Sequence, residues 1–206
     1  MNKSTNDPNI HDLYLYRYFE LGEDPFLSIT DLSIEEARHM LIANLKAGKP
    51  GHPNVEKFLQ LRYDRDEKLR KAFIKNGGKP ERFFPVYFFL GEHRQWASGF
   101  ENPAVLKIPL DAFARESVSF TYGDSFAVMN PALFGNEEYW NKIYFADEIL
   151  DVIKRNGYPS YEEYDFKRGI YPKDKHINDC LKYIEAHVWS QAVLDKYRTL
   201  WNENAL

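Results

Sequence analysis

Near the end of the 206-residue chain, Tyr183-Ile184-Glu185-Ala186-His187-Val188-Trp189 sets a carboxylate and an imidazole two positions apart. The stretch alternates strictly, so a strand turns Ile184, Ala186 and Val188 to one face and Tyr183, Glu185, His187 and Trp189 to the other. A carboxylate beside an imidazole between aromatic rings suits acid–base chemistry, or, for the carboxylate alone, stabilisation of a developing positive charge. A sheet face that simply meets water satisfies the same pattern, because a glutamate costs free energy only when it is desolvated without a partner. Arg17 is the second candidate. In Leu13-Tyr14-Leu15-Tyr16-Arg17-Tyr18-Phe19 it shares a strand face with Leu13, Leu15 and Phe19. A guanidinium there binds an anion or a carboxylate, or snorkels to solvent from an edge strand. Arg94, just beyond the apolar run at 83–90, is a third, though a loop arginine alone carries little information.

Other chemistries lack their residues. There is no P-loop, G-x-G-x-x-G, G-x-S-x-G elbow, H-E-x-x-H or EF-hand loop. The six histidines, His11, His39, His52, His93, His176 and His187, do not cluster at metal-ligand spacing, so no metal is expected. Cys180 is the single cysteine, which excludes an internal disulfide and a CxxC knuckle.

The elements that must carry these residues read as follows. Residues 13–19 form a strand closed by the turn signal Gly22-Glu23-Asp24-Pro25. Ser33 and Glu36 make a capping box ahead of a helix with Ile34, Ala37, Leu41, Ile42 and Leu45 at helical spacing, ended by Gly48. A second helix is predicted over 54–75, with Val55, Phe58, Leu59, Leu69 and Phe73 on its apolar side and Gly77-Gly78 as its stop. Its middle, residues 62–71, mixes both signs of charge and reads as a solvated face. Strands are expected at 83–90, 104–110, 118–122 and 126–129, joined by turn-like separators that suit antiparallel meanders. A helix follows at 136–156, then a long irregular stretch at 158–175, the Glu185 strand, and a closing helix capped by Ser190. The whole is a single α+β domain over 11–206 behind a flexible N-terminal arm at 1–10, with a mixed, mostly antiparallel sheet core and flanking helices.

Composition bounds the remaining classes. At 44% hydrophobic and 28% charged, the chain reads as a soluble globular protein. Its apolar runs fall far short of the roughly 20 residues that span a bilayer. With no apolar signal segment at the start, the expected setting is cytoplasmic, away from the membrane. A net charge of −4 gives no global pull toward nucleic acid, although Lys68, Arg70, Lys71, Lys75, Lys79 and Arg82 are placed to form a local basic strip. Aromatic residues reach 16%, enough to line a cleft as well as fill a core.

Taken in order, these segments resemble the mono-ADP-ribosyltransferase fold, most nearly the DarT-like toxins that modify nucleic acid. Leu15-Tyr16-Arg17-Tyr18-Phe19 is similar to the family's first strand, Pro85-Val86-Tyr87-Phe88-Phe89 followed by Arg94 to its aromatic strand and arginine, residues 105–110 and 121–124 to its next hairpin, and Tyr183-Ile184-Glu185-Ala186-His187-Val188 to its glutamate strand. The first strand has Tyr-Arg-Tyr where those toxins have a His-Thr pair, and Ser117, Ser119 and Thr121 alternate where they have Ser-Thr-Ser. The resemblance implies NAD as substrate, contacted by Arg17, Tyr16, Tyr87, Phe88 and Arg94. It gives Glu185 the nicotinamide ribose and the transition state, and His187 the tuning of Glu185 or deprotonation of the acceptor. An RNA or DNA acceptor and an antitoxin or inhibitor protein come with it. Two other readings stay open: a non-enzymatic protein-interaction module, and a metal-independent RNase-like toxin with Glu185 and His187 as acid and base.

Overall fold

The computed structural model describes residues 13–48, 52–130, 138–159 and 183–203. The expected arm at 1–10, Cys180, His11, His176 and most of the irregular stretch at 158–175 lie outside them.

Strand β1 (Tyr14–Glu20) is followed by helices α1 (Ile34–Lys46) and α2 (Val55–Lys75), then by β2 (Val86–Leu90), β3 (Pro103–Pro109) and β4 (Val118–Tyr122). Short helix α3 (Ser125–Val128) and helix α4 (Ala146–Asn156) precede β5 (Ile184–Val188) and α5 (Gln191–Glu203). The caps explain the helix boundaries. Ser33 Oγ accepts from Glu36 N–H at 3.3 Å while Glu36 returns a carboxylate to Ser33 N–H at 2.9 Å. At the end of α2, Gly77 takes a left-handed φ of 96°, and Gly78 N–H reaches back to Phe73 O at 2.9 Å.

The strands form one five-stranded sheet in the order β3-β1-β2-β5-β4, and every pairing between them is antiparallel. The expected meander is not found: β2 and β3 are not neighbours, and β3 and β4, read above as a hairpin, stand at opposite edges. Turn signals show that the chain reverses, not which strand receives it. Here Leu106 and Ile108 of β3 continue the apolar face by pairing beside Arg17 and Leu15 of β1.

Two further expectations are corrected. Residues 126–129 are not a strand, because Asp124 Oδ1 accepts from Phe126 N–H at 2.8 Å and caps α3 there. The helix expected from 136 begins only at Ala146. Before it, Asn141 has a left-handed φ of 57°, and Tyr144 exchanges backbone hydrogen bonds of 2.9 Å with Phe120, so Tyr139, Trp140 and Ile143 are buried without being helical. In α1 only Ala37 is buried; Ile34 and Ile42, expected on its inner face, are exposed.

The sheet has an apolar face and a polar one. Register places Leu15, Phe88, Ala186 and Phe120 on the first, and Tyr16, Tyr87, Phe89, Glu185, His187, Ser119 and Thr121 on the second. Trp201 of α5 packs edge-on against Phe19 of the apolar face. On the polar face, α2 lays Arg62 and Arg65 over Tyr87, and Phe73 stacks on Trp189 at 5.3 Å.

That stack leaves no room at the end of α2, where a Cβ on Gly78 would lie 2.5 Å from the fully buried Phe73 ring. Gly78→Ala is expected to destabilise the fold by about 1–3 kcal/mol through overpacking. A urea midpoint equal to wild type would reject this account of the junction.

Candidate functional site

The polar face becomes a site where the sheet comes apart. β1 pairs with β2 at Leu15–Leu90 and Tyr16–Phe89, and the ladder ends there, although β1 continues beside β3 as far as Glu20. Arg17 stands at the parting. Its guanidinium donates to Tyr87 O at 2.8 Å and to Leu27 O at 2.6 Å. A cleft of about 390 Å³ is bordered by Arg17, by Arg62 of α2, and by Asp124 and Glu185. Its aromatic wall holds Tyr18, Phe89, Trp96 and Tyr183, with Phe89 4.9 Å from both Trp96 and Tyr183. Behind the wall His93 packs 5.2 Å from Phe89, and burial pulls its imidazole down to about 4, which leaves it neutral at neutral pH.

Glu185 is buried yet ionised. Its Oε2 accepts from Ser125 N–H at 2.9 Å and lies 3.3 Å from His187 Nε2. Burial alone would raise its pKa; His187, Arg65 and Ser125 outweigh that and hold it below the ordinary carboxylate range. His187 is completely buried, so it meets Glu185 from behind and not from the cleft. Its Nδ1 is 3.3 Å from Ser119 Oγ, which accepts from Trp189 Nε1–H at 2.9 Å. An indole only donates, so Ser119 Oγ is the acceptor for Trp189, while the two ring nitrogens of His187 face Ser119 and Glu185. This series orients the carboxylate.

Opposite Glu185 lies a buried charge cluster, where the mixed charges of residues 62–71 predict a solvated helix face. Asp66 is fully buried, accepts from Thr30 Oγ1 at 3.1 Å and from the Tyr87 hydroxyl, and pairs with the Nε atoms of Arg62 and Arg65 at 3.5 Å. Burial works against the charge on Arg65, but Tyr87, Glu185 and Asp66 overcome it. At the other end of the cleft, burial and then the nearby charge of Arg62 pull Arg17 down to about 10. Arg17 therefore stays charged at neutral pH, with Asp24 and Asp31 opposing the effect of burial and of Arg62. Among the described residues, the terminal nitrogens of Arg62 have no hydrogen-bonded acceptor.

The residues singled out from sequence divide accordingly. Arg17, Tyr87 and Glu185 meet in the cleft. The Tyr87 ring is covered by Arg62 at 3.8 Å, so its face is not open for stacking. Phe88 borders the cleft as well, though at 1% exposure its ring belongs mainly to the apolar core, and the neighbouring Phe89 supplies ring surface on the polar face. Tyr16 is outside the lining and stands beside Lys107. Arg94 is exposed and pairs with Glu92 at 2.8 Å. The basic strip is largely engaged: Lys71 with Glu67, Lys79 with Glu116, Arg82 with Asp31, and Lys68 with Met129 O. Sequence reasoning missed Arg62, Asp124, Trp96 and Tyr183 as site residues. The charged middle of α2 and the Gly123-Asp124 turn were visible, but nothing local told which way they point.

Among the described residues, no group of three or more His, Cys, Asp or Glu is placed to hold a metal ion, and no helix is long and apolar enough to cross a membrane. No protein-family model matches the chain, and no match was found among curated proteins or solved structures.

Removing Asp66 strands the buried guanidinium of Arg65. Asp66→Ala is expected to cost about 3–5 kcal/mol, read as a shift in urea unfolding; a loss below about 1 kcal/mol would mean the cluster is not a buried ion network. Because the folded-state pKa of Glu185 is depressed, its contribution is present above the ordinary glutamate value and lost as pH falls through the folded value. The stability difference between wild type and Glu185→Gln is therefore expected to be largest near neutral pH and to shrink on acidification. A difference independent of pH would contradict the depressed value.

Proposed function

We propose that the protein is an NAD-dependent ADP-ribosyltransferase acting on a nucleic-acid acceptor, RNA or DNA. The observation that carries this reading is that Arg17 and Glu185, from opposite ends of the sequence, border one aromatic-walled cleft. The residues present suit NAD as substrate. Arg17 and Arg62 form a positive end with donors for a pyrophosphate. Phe89, Trp96 and Tyr183 offer ring surface for a planar heterocycle. Tyr16 and Arg94 drop out of the contact set for the geometric reasons given above, while Tyr87 and Phe88 still border the cleft.

NAD supplies a ribosyl carbon bonded to a good leaving group. Positive charge grows on that ribose as nicotinamide departs, so a fixed carboxylate stabilises the transition state more than the ground state. Glu185 fits the task because it is already ionised and is held in place by the Ser125 amide and His187, with little left to reorganise. His187 acts as a positioning residue for Glu185. An RNase-like acid–base pair would need the imidazole to reach substrate, and its complete burial gives that reading no support. The nucleic-acid acceptor, an antitoxin or inhibitor partner and a cytoplasmic setting rest on the resemblance to DarT-like toxins.

The test is transfer of label from NAD, with nicotinamide release, by purified protein given pooled RNA, single-stranded DNA and cell lysate. Wild type is expected to label a nucleic-acid fraction, and Glu185→Gln to fall at least about 10²-fold while keeping its fold. A wild-type protein that neither binds NAD nor releases nicotinamide would sink the proposal and leave the interaction module as the better reading.

A further inference from the structure

We infer that Asp124 is the general base that takes the proton from the attacking acceptor, working beside Glu185 in the same cleft; this rests on the transferase reading. One turn holds both carboxylates. Asp124 Oδ1 accepts from Phe126 N–H at 2.8 Å, and the adjoining Ser125 N–H donates to Glu185 Oε2 at 2.9 Å. Both side chains border the cleft, Asp124 partly buried and Glu185 buried.

Capping α3 does not account for a carboxylate at 124. Asparagine and serine cap as well as aspartate, and neither would set a second, partly desolvated negative charge against Glu185. The groups facing Asp124 are Glu185 and the Tyr183 hydroxyl at β5, Arg65 from α2, and the Phe126 amide. Burial, and then the charge of Glu185, push Asp124 above the ordinary range, with Arg65, Phe126 and Tyr183 opposing. Glu185 is held below that range. Two carboxylates driven apart in this way take different roles: the one ionised at neutral pH faces developing positive charge, and the more basic one accepts a proton.

The step balances without a further reactant. The bond from the ribose C1′ to nicotinamide breaks, and its electron pair leaves on the nicotinamide nitrogen. A lone pair of the acceptor forms the new bond to C1′, and the acceptor's proton passes to Asp124. The acceptor class follows: a nucleophilic nitrogen or oxygen that carries a hydrogen, such as a base amide, an exocyclic amine or a hydroxyl, and not one already anionic.

Asp124→Asn and Asp124→Ser both keep the cap and remove the base. They are compared with wild type for label transfer and nicotinamide release from NAD with pooled RNA and single-stranded DNA across a pH series. Both variants are expected to lose the rising acid limb of the rate profile and about 10²–10⁴-fold in transfer. Azide, an anionic nucleophile with no proton to lose, is expected to restore nicotinamide release in the Asp124 variants but not in Glu185→Gln. Variants that keep the wild-type rate and limb, or a loss that azide leaves unrepaired, overturn the base role while wild-type transfer keeps the transferase reading standing. A wild type that neither binds NAD nor releases nicotinamide overturns that reading and the base role with it.

Discussion

A carboxylate taken out of water on a sheet face must be answered by charge and hydrogen bonds close at hand, or it protonates. Glu185 is answered from three directions: the Ser125 amide, His187 behind it, and Arg65 across from it. Arg65 is itself buried, and it stays charged because Asp66 and Glu185 surround it. The placement of α2 over the polar face is therefore tied to the charge on β5. Neither element can be buried as it is without the other.

The same constraint shapes the sheet. Where β1 and β2 part, the freed Tyr87 carbonyl would face the cleft unpaired, and the Arg17 guanidinium fills that gap from the apolar side. One arginine thus closes the backbone at the parting and contributes positive charge to the cleft. With Arg62 nearby, two guanidinium groups border this part of the cleft, while Asp124 and Glu185 border it with carboxylates. An elongated ligand with anionic and cation-developing parts is matched by such a division, and a uniformly charged surface would not match it.

The aromatic residues serve both purposes that composition left open. Phe73, Phe88, Phe120 and Trp189 fill the interior, whereas Tyr18, Phe89, Trp96 and Tyr183 wall the cleft. Phe88 and Phe89 show how fine the division is. Adjacent in sequence and alike in chemistry, they are separated by the two-residue period of the strand, which sends one ring into the core and the other to the site.

The sequence by itself determined what depends on neighbours along the chain. The Ser33–Glu36 box starts α1, Gly77-Gly78 ends α2, and the strict alternation of 183–189 puts Glu185 and His187 on one face, because caps, glycine conformations and strand periodicity act over a few residues. Where two local signals conflicted, as at 126–129, the Asp124 cap prevailed over β-forming residues, and composition alone could not rank them. Only the tertiary structure decided that β3 lies beside β1 and far from β4, that Arg62, Arg65 and Asp66 turn inward, and that Asp124 meets Glu185. Those choices depend on burial and charge balance between segments tens of residues apart, and no periodicity within either segment records them.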